Sequence, residues 1–407
     1  MSKLTTVVIK PRFNALNNNA LYFHVGDMNA LAREEYQDNF GFYQRTFGVY
    51  SYMRMNKDLK FVLHYPQDLP FKWQAHNSCA WTPLGTMTMG TKEIEPCRVK
   101  LNEQFCYDEF FDSTYKYLLD WSSNAVKFDS IGQNLIDSMA RTIVKNATIG
   151  FRMLLVGGQL YSGVTPDWTA GTPARVQDAF LRTANVCKGW IKLLIDLAAS
   201  DEAAYGHLDN GLIDAGDIGP DGLTFTGNVV DLYDAMYTGA PRPLQIAIQS
   251  GGVGGFDNLF YPIAIVSRSI LAALHLQYIA QNEAAAQNMP RITVREYSVD
   301  TERGVRPIRV YFIDNTAFVP LDEIDLLEGQ LDTSSHFFYL TLSGVIQLGS
   351  SFVALPVANE ADVAVMIQLS TDVEDMGTYK FAAHALAAVG INDTDYITGD
   401  YFLGSPD

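Results

Sequence analysis

Ile131, Leu135, Met139, Ile143 and Ala147 recur every four residues, with Ile136 and Val144 on the adjoining flank. This is the strongest periodic feature of the chain, and it predicts one amphipathic helix. Running from Ser123 to Val156, it would extend about 50 Å at 1.5 Å per residue, with Gly157-Gly158 as its stop. Gly132 and Gly150 weaken it somewhat. A helix of that length sets the scale of whatever packs around it.

On either side of this segment the chain differs in kind. Residues 1–152 hold 17 Lys/Arg against 15 Asp/Glu, a net of +2, whereas residues 153–407 hold 12 against 31, a net of -19. No basic residue lies between Arg309 and Lys380. Hydrophobic residues make up 48% and charged ones 18% of the 407, which excludes a disordered acidic chain. The overall excess of acid argues against a dedicated DNA- or RNA-binding surface. Two chemically different halves are expected to face different neighbours. The length alone gives a prior of roughly two to three domains.

Before the helical segment, residues 1–45 are polar and irregular, with Asn14, Asn17, Asn18 and Asn19 close together, and read as an extended arm. A strand-like run from Lys57 to Tyr65 leads into turns and aromatics: Pro66, Pro70, Phe71, Trp73, Trp81, Pro83 and Gly85. A second extended run, Thr86 to Asn102, alternates Cys97, Val99 and Leu101 with Arg98, Lys100 and Asn102. Two strands flanking a tip of about 20 residues predict a long hairpin excursion. A loop of that length is expected to have a function. Its tip carries Phe71, Trp73 and Trp81 as candidate subunit-interface residues, a local core beneath the loop being the alternative.

After the helical segment, a second helix is expected from Thr172-Pro173 to about Ala204, with Thr172 as N-cap and Pro173 at the first position. A Gly- and Asp-rich loop spans His207 to Gly227, then a short helix and a strand at Leu244–Gln249 are expected. Further strands are expected at Ile263–Val266, Ile292–Val299 and Ile308–Ile313, with a helix capped by Ser267 running until Pro290. The uncharged stretch Thr333–Asn359 sets Phe338, Leu340 and Leu342 against Tyr339, Thr341 and Ser343, a period of two that reads as strand rather than membrane span. No apolar signal-peptide core opens the chain, so a soluble protein made in the cytoplasm is expected.

Chemistry-bearing motifs are scarce. There is no GxSxG, Walker A, HExxH or paired CxxC. The Gly251–Gly255 cluster lacks a GK[ST] ending and reads as a turn. Asp209, Asp214, Asp217 and Asp221 do not match an EF-hand and read as a solvated loop. Cys79, Cys97, Cys106 and Cys187 lie 18, 9 and 81 residues apart, so reduced, buried thiols are expected rather than a disulfide framework. His76 and Cys79 form a poor zinc pair, and His275 and His384 read as packed or surface histidines. No catalytic residue, cofactor or metal is assigned.

The order of elements is more specific than any motif: polar arm, long hairpin, long helix, mixed α/β region, strand-rich return. It resembles the HK97-like major capsid protein of tailed bacteriophages. The stretch Thr88-Met-Gly-Thr-Lys-Glu-Ile-Glu-Pro-Cys-Arg-Val-Lys-Leu-Asn-Glu-Gln-Phe is similar to the descent of that family's extended loop. Ser130 to Gly158 resembles its spine helix, Tyr261-Pro-Ile-Ala-Ile-Val-Ser-Arg-Ser-Ile-Leu-Ala-Ala-Leu its axial strand and helix, and Tyr379 to Ile397 its closing strand and return. The resemblance implies an α+β fold. It would comprise an N-terminal arm at 1–45, an extended loop at 46–104, a peripheral domain at 105–160 and 355–390, and an axial domain at 161–354 and 391–407. It implies self-assembly into pentamers and hexamers of an icosahedral shell in the virion, built in the host cytoplasm and enclosing double-stranded DNA without binding it specifically. Scaffolding, portal and decoration proteins would be further partners, with no membrane involved. An encapsulin-like compartment and a soluble α/β enzyme are the alternatives.

Overall fold

The structure is a computed structural model. It describes residues 6–9, 21–24, 41–54, 61–67, 88–94, 96–106, 146, 149–169, 172–173, 176–200, 208–209, 212–213, 215–221, 224–249, 261–284, 291–301, 304–321, 323–324, 335–352, 378–391 and 398–403. Of the expected long helix, only its C-terminal part falls within these residues.

The first third supplies strands β1 (Thr6–Ile9), β2 (Leu21–His24), β3 (Tyr50–Arg54), β4 (Phe61–Gln67), β5 (Thr88–Ile94) and β6 (Cys97–Cys106), with helix α1 (Gly41–Phe47) before β3. The middle contributes helix α2 (residues 149–157), the short pair β7 (Trp168–Thr169) and β8 (Thr172–Pro173), helices α3 (Val176–Ala184) and α4 (Trp190–Ser200), and β9 (Leu208–Asp209). Helices α5 (Val229–Gly239) and α6 (Arg242–Gln249) precede β10 (Pro262–Val266) and helix α7 (Arg268–Ala284). The remainder is strand: β11 (Ile292–Thr301), β12 (Gly304–Ile313), β13 (Thr316–Pro320), β14 (Ser335–Leu342), β15 (Ile346–Phe352), β16 (Thr378–Ile391) and β17 (Thr398–Leu403). The fold class is α+β.

Seven strands form the main sheet in the order β11-β12-β13-β10-β14-β17-β9. Its centre is apolar on both faces, because helices cover both. On β14, Phe337 and Tyr339 meet Trp190 of α4 at 5.6 and 5.8 Å between rings, while Phe338 meets Phe318 of β13 at 5.8 Å, under Tyr233 of α5. Neither face of the period-two pattern at 338–343 is therefore exposed: every residue from His336 to Ser343 is buried. Burying side chains of this size contributes roughly 1.5–3 kcal/mol each relative to exposure. The Tyr233 hydroxyl is matched by the Thr316 hydroxyl at 3.0 Å, and burial holds its phenol well above the ordinary range, so it remains a neutral hydrogen-bonding group.

Helix α7 lies on the face that carries α5. Ile270 and Leu274 point inward, and two glutamines stitch neighbouring backbone. Gln277 accepts from the Val229 amide at 3.1 Å and donates to the Gly227 carbonyl at 3.0 Å, completing the start of α5; Gln281 makes the same reciprocal pair with Ile292 at 3.2 Å each. Ser267 stands at the helix entrance as expected, its hydroxyl 2.9 Å from that of Ser269, which in turn meets Nδ1 of the buried His336 at 2.8 Å.

A second sheet of four strands has the order β3-β15-β16-β6. It gathers two strands from before residue 107 and two from after residue 345. The chain passes from the main sheet into it through the β14–β15 turn, where Gly344 takes a φ of 75°. Helix α1 joins the two sheets. Phe47 packs on Tyr297 and Phe312 of the main sheet, while the Gln44 amide group donates to the Tyr50 carbonyl at 2.5 Å and accepts from the Tyr50 amide at 2.7 Å.

Three local expectations are corrected. Thr172-Pro173 pairs as β8 against β7 instead of capping a helix. The single helix to Ala204 is two helices, broken at residues 185–189 because the backbone there meets α2. Leu244–Gln249 lies in helix α6, with Leu244, Ala247 and Ile248 buried and Ile246 half exposed; its Leu-Gln-Ile-Ala-Ile text imitates a strand because short apolar runs do not distinguish the two periods.

Candidate assembly surface

The expected hairpin is present. β4 and β5 pair antiparallel in unbroken register from Phe61↔Ile94 to Gln67↔Thr88, leaving residues 68–87 between them. They form a two-stranded sheet that pairs with no other described strand. An isolated two-stranded hairpin is marginal in water, so it requires a surface to lie on. Phe71, Trp73 and Trp81 lie outside the described residues, as do His76, Cys79, Asp214, the Gly251–Gly255 cluster and residues 123–145.

At its base the hairpin runs into a joint that sequence reasoning missed. The descending chain begins β6 at Cys97, whose sulfur is bonded to that of Cys187, in the turn between α3 and α4, with their Cα atoms 6.0 Å apart. The expectation of four reduced thiols is therefore corrected for this pair. Spacing could not have found it, since 90 residues separate the partners and tertiary contact alone brings them together. Closing a loop of that size stabilises the folded chain by about 4–5 kcal/mol in the chain-entropy treatment.

The same turn grips the end of α2. The Gly158 amide donates to the Leu154 carbonyl at 3.0 Å, and the Gly189 amide donates to the Gly158 carbonyl at 2.9 Å. A Cβ on Gly158 would stand 2.2 Å from the Cys187 carbonyl oxygen, and one on Gly189 would stand 2.4 Å from the Gly158 amide nitrogen. Two backbones cross with no room for a side chain. The Gly157-Gly158 stop was legible in sequence, but Gly158 serves the crossing, and Gln159, with φ 58°, makes the left-handed exit. Six residues before Gly158, Arg152 forms a buried ion pair with Glu323 beyond β13. On α4, burial raises the Asp196 carboxyl, but hydrogen bonds from Lys188 and Lys192 at 2.6 and 2.8 Å outweigh it and hold the group below the ordinary carboxylate range.

Exposed apolar side chains gather on the outer side of α7. Leu276 is 65% and Ile279 40% exposed, between exposed Ala272 and Ala280. Val305 at the start of β12 is 66% exposed. Around them the charge is paired: Arg291 makes a bidentate bridge to Asp234 at 2.7 and 2.8 Å and reaches Asp314 at 3.3 Å, and Arg309 meets Glu296 at 3.0 Å. In the Asp-rich loop, the Asp221 carboxylate accepts from the Thr224 amide and hydroxyl. Among the described residues no three ligating side chains converge on a metal position, and no helix is long and apolar enough to cross a membrane. His275 is packed, bonded to the Tyr311 hydroxyl at 2.6 Å.

No family model matches the sequence, and no curated protein does. Solved structures to which the chain is similar over most of its length include phage capsids and an encapsulin. The chain is similar to the satellite phage P4 procapsid including size determination protein, at 10% identity over 91% of this chain and 89% of that one, with a TM-score of 0.48. It is similar to a Mycobacterium phage Ogopogo structure at 9% identity over 88% and 92%, with a TM-score of 0.37. The holo-SrpI encapsulin complex from Synechococcus elongatus aligns at 9% identity over 86% and 84%, with a TM-score of 0.39.

Proposed function

We propose that this chain is a structural subunit that assembles with copies of itself into a shell of the HK97-like kind, as pentamers and hexamers enclosing packaged DNA in a virion. The observation that carries the reading is the β4–β5 hairpin, a two-stranded sheet that shares no ladder with either larger sheet. A neighbouring subunit supplies the surface that such a hairpin needs, and Phe71, Trp73 and Trp81 are the contacts it makes there. The apolar outer stripe of α7 supports the same reading, as apolar area exposed on one subunit and covered in an assembly.

The domain division follows. Residues 1–45 are the arm and 46–104 the extended loop; 105–160 with 355–390 form the peripheral domain, and 161–354 with 391–407 the axial domain. The -19 of residues 153–407 keeps the wall from adhering to nucleic acid, so the genome is enclosed rather than bound. Chemistry is not part of this role.

Negative-stain microscopy of the purified full chain tests the proposal. Shells, sheets, or five- and six-membered rings are expected. A monodisperse monomer or dimer at high concentration overturns it.

A further inference from the structure

Cys97 and Cys187 are bonded to each other but are not equally accessible. Cys187 is 3% exposed, and its carbonyl is pressed against Gly158. Cys97 is half-buried at the rim, its sulfur 3.7 Å from the carbonyl oxygen of Val186, a residue that is itself 50% exposed. Arg98, beside Cys97, is exposed and cationic, a local charge that favours an anionic reagent; Lys188, beside Cys187, is exposed too but is paired with Asp196.

We propose that this pair is a thiol–disulfide exchange site for small anionic disulfides of the glutathione class, with Cys97 as entry thiol and Cys187 as resolving thiol. In the first step Cys97 gives its proton to solvent and its thiolate attacks one sulfur of the small disulfide. The reagent's S–S bond breaks, and one reagent thiolate departs. In the second step Cys187 gives up its proton and attacks Cys97 Sγ; the mixed disulfide breaks, the Cys97–Cys187 bond forms and the second reagent thiolate departs. The two cysteines lose two electrons together, and the small disulfide gains them as two thiols. Reduction by excess small thiol runs the same path backward, entering at the sulfur that solvent reaches. The site stands on the unequal burial of the two cysteines and is independent of shell assembly.

The test uses the full chain, reduced, freed of reductant and mixed with excess oxidised glutathione under native conditions. Acid-quenched samples are read by intact mass and by peptide mapping. A glutathione adduct on the Cys97 peptide is expected to appear first and then to decay into the Cys97–Cys187 bridge. Cys187→Ser traps the adduct on Cys97. Cys97→Ser leaves Cys187 modified at least ten-fold more slowly than Cys97 is in the sister variant, until denaturant is added. An adduct appearing first on Cys187, comparable rates in the two variants, or an end state without the bridge overturns the proposal. The unsubstituted chain reports the order of events by itself, so a variant that misfolds leaves the test intact.

Discussion

Gly158 and Gly189 show how little a single side chain must weigh to matter. Adding one methyl group at either position drives it into backbone atoms that cannot rotate away. Gly158→Ala and Gly189→Ala are each expected to destabilise the chain by about 3 kcal/mol, at the upper end of overpacking costs, read as a lowered thermal midpoint. Gly239→Ala is the control. No atom lies within 4 Å of a Cβ built there, at the end of α5, so the midpoint should hold or rise slightly. The Arg152–Glu323 pair makes a second residue-scale prediction. Glu323→Ala removes one partner of a buried charge pair, and a loss of about 3–5 kcal/mol is expected by the same measurement. Replacing both partners by apolar residues of similar volume should cost much less, because the desolvation of both charges is then removed together.

At the scale of elements, the β4–β5 register permits a clean excision. Gln67 pairs with Thr88, so replacing residues 68–87 by Asn-Gly closes a two-residue hairpin. Circular dichroism and the thermal midpoint should stay near those of the parent, while rings and shells disappear in micrographs; an unfolded product would place the tip in the core instead. On α7, Leu276→Glu should shift stability by no more than about 0.5 kcal/mol, since the side chain is 65% exposed, yet should weaken self-association in sedimentation experiments. What the residues announced in advance divides along physical lines. The β11–β12 hairpin is legible because its strands are neighbours in sequence, and β10 and α7 because each carries its own periodicity and breakers. Helix α6 was not, because its apolar run is too short to separate the two periods. The break between α3 and α4 was not, because its cause is the backbone of Gly158, a tertiary contact. The cysteine pair was hidden for the same reason, and the hairpin tip was legible only as composition.

For the whole molecule, charge is the controlling quantity. A net -17 makes like copies repel, and salt screens that repulsion within a Debye length of about 10 Å at 0.1 M. Raising ionic strength from about 50 to about 500 mM should therefore increase assembly as read by light scattering, and a flat response would show that charge does not govern association. The four-stranded sheet carries a different kind of consequence, one of timing. Its register sets Cys106 beside Thr378, about 270 residues later along the chain. At roughly 5–20 residues per second of synthesis, β6 waits on the order of 15–50 s for its partner strand to be made. For that interval the early strands are finished but unpaired in this sheet, and the subunit cannot close until β16 leaves the ribosome. On the proposed role, a chain that joins copies of itself thus completes its own fold last, and copies still being translated are not yet competent to join.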